Sequence, residues 1–267
     1  MLILFMLDST GSTGSSVKWA GSKQKLLRKV RILSMLPIDL QDTGRLIAIG
    51  DIHGCSAALE SIIDSINPSD DDVIVTLGDY VDRGPDTPGV LDQLIALRRR
   101  CKLVPLLGNH DQVMLAAIFG KIAPKLWMEM DGDKTVEAYG SIRDIPPEHT
   151  DFLSACELCV ETDSHIFMHA CYNPNLELEK QSIDDLLWTS LRDEIPAPHK
   201  SGKQAIVGHT SQKSGAILNA GHIICIDTFC CGGGWLTALD VRSGGVWQAD
   251  REGRSKRQSK RTQEPSE

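Results

Sequence analysis

No segment of this 267-residue chain approaches the roughly 18 consecutive apolar residues that a membrane-spanning helix requires. The apolar start, Met1 to Leu7, lasts only seven residues. It also lacks the basic lead, the longer apolar stretch and the small-residue cleavage site of a secretory signal. A cytoplasmic protein with no membrane span is therefore expected. The eight cysteines do not form the dense framework of a small secreted domain, and in a chain of this length they read as reduced thiols. Cys156-Glu-Leu-Cys159 has no second C-x-x-C pair to complete a structural zinc site, and adjacent Cys230 and Cys231 do not easily bond to each other.

Basic side chains are scarce in the body of the chain. Residues 18–31 and 251–267 each carry six Lys or Arg, and residues 32–250 hold only 16 against 32 acids, a net of −16 beside −8 for the whole protein. Such a surface repels polyanions, so nucleic acid is not the expected partner, whereas cation capture suits it. Composition is otherwise ordinary, with 41% hydrophobic and 24% charged residues, enough for one catalytic domain. That domain is expected over 41–250. Ahead of it, 1–40 reads as a flexible extension, rich in Ser, Gly, Thr and Lys over 8–23, with Met35 as an alternative start. Residues 251–267 read as a basic, disordered tail. Nothing in the sequence indicates an oligomeric state.

Short apolar runs recur, and each ends in residues capable of chemistry. Arg45 to Ile49 leads into Gly50-Asp51-Ile52-His53-Gly54, and Val73 to Leu77 into Gly78-Asp79-Tyr80-Val81-Asp82-Arg83-Gly84. Leu103 to Leu107 leads into Gly108-Asn109-His110-Asp111, His165 to Met168 into His169, and Ala205 to Val207 into Gly208-His209. Runs of this kind predict buried strands. Helical patterns over about 56–66 and 88–100 separate the first three, giving β-α-β-α-β. Further strands are expected at 223–226 and 235–239, with Gly232 to Gly234 turning between them. The result is an α/β domain with a central sheet or pair of sheets and helices outside. Open α/β sheets place ligands beyond the carboxyl ends of their strands, so the Asp, His and Asn residues meet at one edge.

Taken singly, each motif is compatible with a turn or a satisfied core histidine. Jointly they point to a dinuclear metal centre, with carboxylate, imidazole and amide oxygens suited to manganese, iron or zinc. Asp51 and His53, two apart on an extended segment, share a side. Asp79 bridges two ions, and Asn109, His169 and His209 complete the second. Two cations about 3.5–4 Å apart orient a phosphoryl group and activate a water for in-line attack. His110 is placed to protonate the leaving group, Asp82 to hold the other ring nitrogen of His110, and Arg83 to grip phosphate oxygens with its planar fork.

GDIHG (50–54), GDYVDRG (78–84) and GNHD (108–111), with His169 and His209, resemble the signature of the phosphoprotein phosphatases, in the bacterial branch that includes the lambda-phosphatase-like Ser/Thr protein phosphatases. The resemblance covers about 45–245. It implies a four-layer α/β/β/α metallophosphoesterase (calcineurin-like) sandwich, two divalent ions with manganese favoured, and a second phosphate-binding arginine for which Arg192 is the match. Asp111 stands where eukaryotic members carry Glu, and Ala170 where Gly is usual; neither change removes a ligand. A phosphomonoesterase acting on phosphoserine or phosphothreonine is the expected function, with a phosphoprotein or small phosphoester as substrate. The alternative is symmetrical hydrolysis of diadenosine tetraphosphate. That branch commonly resembles Val-Ala-Arg-Gly where this chain has Val81-Asp82-Arg83-Gly84, so Asp82 favours the monoesterase. A third reading, a metal-binding pseudoenzyme that docks through its basic tail, is disfavoured because every ligand and the acid are present.

Overall fold

Each apolar run that precedes a motif is a strand in the computed structural model, which describes residues 44–256 and the short strand Leu36–Pro37. In chain order the strands are β1 (Leu36–Pro37), β2 (Leu46–Ile49), β3 (Val73–Thr76), β4 (Lys102–Pro105), β5 (Cys159–Glu161) and β6 (His165–Met168). They continue with β7 (Gln204–Val207), β8 (Leu218–Asn219), β9 (Ile223–Cys225), β10 (Leu236–Asp240) and β11 (Val246–Ala249). The helices are α1 (Ser56–Ile66), α2 (Thr87–Leu97), α3 (Asn109–Ile118), α4 (Pro124–Trp127), α5 (Asp133–Tyr139), α6 (Pro147–Ser154) and α7 (Ile183–Trp188).

The strands form two sheets, ordered β11-β10-β2-β3-β4 and β1-β5-β6-β7-β9-β8. Parity explains why the runs are continuously apolar. Leu46, Ala48, Val73 and Val75 from the first sheet meet Val160, Phe167 and Ile206 from the second in one buried cluster. The opposite faces, with Ile47, Ile49 and Ile74 on one sheet and Ile166, Met168 and Val207 on the other, join helix residues such as Leu59, Ile62, Leu91 and Leu187. The central strands β2, β3, β6 and β7 are thus covered on both sides, and alternation with polar residues there would bury unpaired groups. Two sheets flanked by helices make the expected sandwich.

The helices follow from their own patterns. In α1 the buried positions Ala58, Leu59, Ile62, Ile63 and Ile66 form one stripe, and Asn67 ends the helix in the left-handed region at φ 44°. The Asp86 side chain caps α2 by accepting the Gly89 amide at 3.0 Å, and Pro88 sits in the first turn.

Arg45 and Asp72 stand just before β2 and β3 and lock the two strands in register. The Asp72 carboxylate accepts from the Arg45 amide at 2.9 Å and from its guanidinium at 3.1 and 2.7 Å. The same guanidinium reaches the Ile66 carbonyl at the end of α1, at 3.0 Å. With the lower ends fixed, Leu46 pairs with Val73 and Ile49 with Thr76, so the motifs that follow emerge side by side.

Residues 251–256 of the expected tail turn back on the first sheet: Ser255 bridges Ala249, and the Lys256 amide donates to the Gln248 carbonyl at 2.8 Å. Within the expected extension 1–40, Leu36–Pro37 pairs with β5. The other residues of that extension, and 257–267, lie outside the described residues. Among the described residues no helix is long and apolar enough to cross a membrane. All eight cysteines are unpaired, Cys156 and Cys159 included.

The Arg45 side-chain bond, with help from Ser69, holds Asp72 well below the usual carboxylate range. A depressed pKa contributes stability that is fully present above the unfolded value, about 3.9, and is lost progressively as pH falls from there through the folded value. Asp72→Asn is expected to cost about 2 kcal/mol at pH 7 and about 1 kcal/mol less at pH 3, a difference that denaturant titration at the two pH values measures.

Candidate metal centre and active site

The loops after β2, β3, β4, β6, β7 and β9 converge on one edge of the sandwich. Asp79 lies at their centre. Its Oδ1 accepts the His110 amide, in the first turn of α3, at 3.0 Å. In return Asp111, in the same turn, accepts the amides of Asp79, Tyr80 and Gly108 at 2.8, 3.0 and 2.9 Å. Loop and helix end therefore satisfy each other's unpaired donors, and the helix dipole favours the Asp79 charge. The approach is so close that a Cβ on Gly108 would strike the Asp79 carboxylate.

Two histidine pairs flank Asp79. His53 Nε2 lies 3.3 Å from Asp79 Oδ2, and His169 Nε2 lies 3.5 Å from Oδ1. Nδ1 of His53 donates to the Val81 carbonyl at 2.8 Å, and Nδ1 of His169 to the Leu77 carbonyl at 2.7 Å. Those bonds fix the tautomer and aim the Nε2 lone pairs inward, as metal-ligating histidines are normally held. Asn109 Oδ1 sits 3.0 Å from both His169 Nε2 and His209 Nδ1. Ligand atoms of His53, Asp79 and His110 lie within 4.8 Å of one another, as do those of Asp79, His169 and His209. The two groups share Asp79.

Charge in the centre is unbalanced in the direction a cation corrects. Burial, then the charges of Asp227 and Asp79, push Asp51 well up. Burial alone would raise Asp79 too, but the charges of His169, His110, His53 and Arg83 outweigh it and keep the carboxyl ionised. Burial drives His53 well below its ordinary value, and burial with the neighbouring His169 drives His209 down to about 3. Imidazole nitrogens, an amide oxygen and carboxylate oxygens face one another here at short range. This donor set fits divalent ions of the nitrogen- and oxygen-binding kind.

Beside the centre lies a proton-transfer pair. Asp82 Oδ2 accepts His110 Nδ1 at 2.9 Å. Trp127 Nε1 donates to both Asp82 oxygens at 3.0 and 3.1 Å, and the Thr135 hydroxyl to Oδ1 at 2.8 Å. For His110 burial acts downward, but the Asp79 charge and the Asp82 bond outweigh it and raise its pKa. Burial raises Asp82 as well, and three donors converge on its oxygens, so the carboxylate is held in place to keep the Nδ1 proton of His110. The Arg83 guanidinium spans His53 Nε2 and His110 Nε2 at 2.8 Å each and bonds Asp131 at 3.1 Å through Nε. Its side chain is 34% exposed, open to an incoming ligand.

The expected residues are largely brought together, with two differences. Asp51 is in neither of the two candidate groups among the described residues, its carboxylate accepting the His209 amide at 3.1 and 3.0 Å, and His110, expected as the acid, lies in the group with His53 and Asp79. Arg192 is exposed on the loop after α7, which Thr210 anchors by accepting the Leu191 amide at 2.9 Å. The sequence reading missed Trp127, Thr135 and Asp131, which stand far from the motifs in sequence and carry no pattern. It also missed Asp227, whose signal was present: an apolar run, Ile223 to Ile226, ending in an acid.

Backbone strain marks the same place. His53, Asp79, Asp82, Arg83 and His209 have φ of 45°, 52°, 69°, 66° and 61°, in the left-handed region. Each costs of order 1 kcal/mol or more for a non-glycine residue and persists because the surroundings enforce it.

Residues 44–235 match the family model of calcineurin-like phosphoesterases. The chain belongs to that family. It is 44% identical over 80 residues to a symmetrical bis(5'-nucleosyl)-tetraphosphatase of Acidovorax sp. (strain JS42), covering 30% of this chain and 28% of the relative. It is 35% identical over 126 residues to the enzyme of the same name from Janthinobacterium sp. (strain Marseille), covering 46% and 42%. The matched segments thus span less than half of these relatives. A solved structure provisionally described as a diadenosine tetraphosphatase superposes with a TM-score of 0.62 at 24% identity, over 80% of this chain and 96% of that one. A cold-active protein tyrosine phosphatase superposes with a TM-score of 0.59 at 16% identity, over 87% and 82%. Both likenesses are of fold.

Because Asp79 serves both ligand groups, Asp79→Asn is expected to remove most bound divalent metal and to lower turnover by about 100-fold or more. Metal analysis after dialysis, alongside a phosphatase assay, measures both. Unchanged metal content at wild-type activity would rule out a shared ligand.

Proposed function

We propose that this calcineurin-like phosphoesterase uses two divalent ions to hydrolyse small phosphate compounds, with symmetrical cleavage of dinucleoside tetraphosphates as its principal reaction. One observation carries the metal chemistry: a single carboxylate, Asp79, shared between two groups of candidate ligands. Asp51, His53 and Asp79 would hold one ion, and Asp79, Asn109, His169 and His209 the other. Manganese is the preferred metal, with iron or zinc compatible with the same donors. Bound ions of this kind neutralise phosphoryl charge and make water a competent nucleophile near neutral pH. The chain itself would do the rest. Arg83 presents a planar fork to phosphate oxygens, Arg192 reaches in from its exposed loop as a second clamp, and His110, held by Asp82, delivers a proton to the departing oxygen. The names of the curated relatives support the substrate, and they shift the balance away from the phosphoserine and phosphothreonine esters that the sequence alone favours. The unpaired thiols support a reducing, cytoplasmic setting.

A second reading rests on the acid pair. A phosphate leaving group in an anhydride is a weak base and needs little help from an acid. An alkoxide leaving from a monoester is a strong base and needs much. Asp82, braced by Trp127 and Thr135 behind His110, is the more elaborate provision and favours phosphomonoesters.

Purified protein with manganese, offered diadenosine tetraphosphate and phosphoserine peptides at equal concentration, separates the two. The expected result is conversion of the dinucleotide to two nucleoside diphosphates at the higher kcat/KM; faster release of phosphate from the peptides would reverse the assignment. His110→Asn is expected to slow alkyl phosphates about 100-fold and p-nitrophenyl phosphate about tenfold or less, since a general acid matters in proportion to leaving-group basicity. Equal losses on both would remove His110 from that role.

A further inference from the structure

Phe229 is an anomaly that the metal chemistry does not use. It has φ 66°, a conformation that a bulky residue adopts only under constraint, and its ring is partly exposed. The ring belongs to neither hydrophobic cluster, although its neighbours Cys230 and Cys231 pack on the larger one. Packing therefore does not account for it.

The surrounding loop is built to hold that ring. Asp227 Oδ1 accepts the Phe229 amide at 3.0 Å, and the Phe229 carbonyl accepts the amides of Gly232 and Gly234 at 3.1 and 2.8 Å. The ring lies against the bare backbone of Gly232, where a Cβ would collide with it. Above it the exposed Lys213 ammonium stands 5.7 Å from the ring centroid. Lys213 is itself positioned: the Ser211 hydroxyl donates to Asp227 Oδ2 at 2.6 Å, and the Gln212 amide to the Asp227 carbonyl at 2.8 Å. Two strand-end loops are thus tied together through one buried carboxylate.

This assembly borders the candidate metal centre. The backbone of Ile226 and Asp227 packs directly on Gly50, the residue before Asp51, where a Cβ would lie 2.6 Å from the Ile226 carbonyl and 3.5 Å from the Asp227 amide. Phe229 is two residues from Asp227, so at most about 7 Å of backbone separates them. A rigid aromatic face with a cation over it, a short way from a site that grips phosphoryl groups, matches a ligand carrying a flat ring and phosphates. From this geometry we infer that Phe229 and Lys213 form a nucleobase subsite, the ring stacking on the base and the ammonium meeting the adjoining phosphate. Base stacking on an aromatic side chain tolerates any base, since every base has a π-face. This subsite rests on the nucleotide reading above and specifies where that substrate's base is held.

The test compares adenosine 5'-monophosphate with ribose 5-phosphate as competitors of p-nitrophenyl phosphate hydrolysis by the manganese-loaded full chain. The two differ only in the base. The wild-type protein is expected to bind the nucleotide about tenfold more tightly, and Phe229→Gly to bring that ratio close to one, the loss expected of one stacked base. Phe229→Trp is expected to keep or widen the ratio. Glycine relieves the left-handed backbone, so Phe229→Gly is also expected to melt no lower than the wild type. Equal binding of the two competitors by the wild type, a ratio unmoved by Phe229→Gly, or a large drop in its melting temperature (the mark of a core side chain) would each overturn the subsite. Cleavage of diadenosine tetraphosphate is scored separately. Its absence alongside a Phe229-dependent ratio would refute the tetraphosphatase reading while leaving the base subsite standing.

Discussion

The structure turns on the exchange of hydrogen bonds between Asp79 and the first turn of α3. Asp79 offers its carboxylate to the His110 amide, and Asp111 offers its own to the amides of Asp79, Tyr80 and Gly108. The exchange holds Asp79 in a left-handed backbone conformation, with one oxygen toward His53 and the other toward His169. Remove it, and the strand edge would still form, but the two groups of ligands would have no common member.

Rigidity around this point comes from the sandwich. The strands are short, the central ones are buried on both faces, and Arg45 with Asp72 fixes the register of β2 and β3 at the far end. Every loop that contributes a ligand therefore begins from a defined height. That precision supports a cost: Asp51, Asp79 and Asp227 crowd negative charge into a dry space, and five motif residues hold strained backbones. A fold selected for stability alone would avoid both. Their concentration at one edge marks that edge as the candidate functional site.

Family and substrate are separate questions here, because the fold carries the metal centre and the loops around it carry selectivity. The centre is built from residues immediately after strands, where the backbone leaves little freedom. Asp82 with Trp127 and Thr135 on one side, and Phe229 with Lys213 on the other, belong to longer segments that lie over that edge.

The strand-then-glycine-then-ligand pattern made much of this legible from the residues alone. Continuous apolar runs marked β2, β3, β4, β6, β7, β9 and β10, the glycines marked where backbones approach, and the polar residues after them marked the centre. That information is local, since burial on two faces and a sharp turn leave their trace within a few neighbouring positions. Other features have no such trace. Trp127 and Thr135 reach Asp82 from 45 and 53 residues away, and the grouping of His110 with His53 and Asp79 depends on how loops cross in space. The exposed placement of Arg192 and the strained, unclustered ring of Phe229 are likewise settled by packing between segments distant along the chain. Periodicity and the residues that close each apolar run determined that carboxylate, imidazole and amide groups would gather at one sheet edge; which side chains brace, charge and border them was decided only when the loops met, because long-range contacts impose no spacing on the sequence.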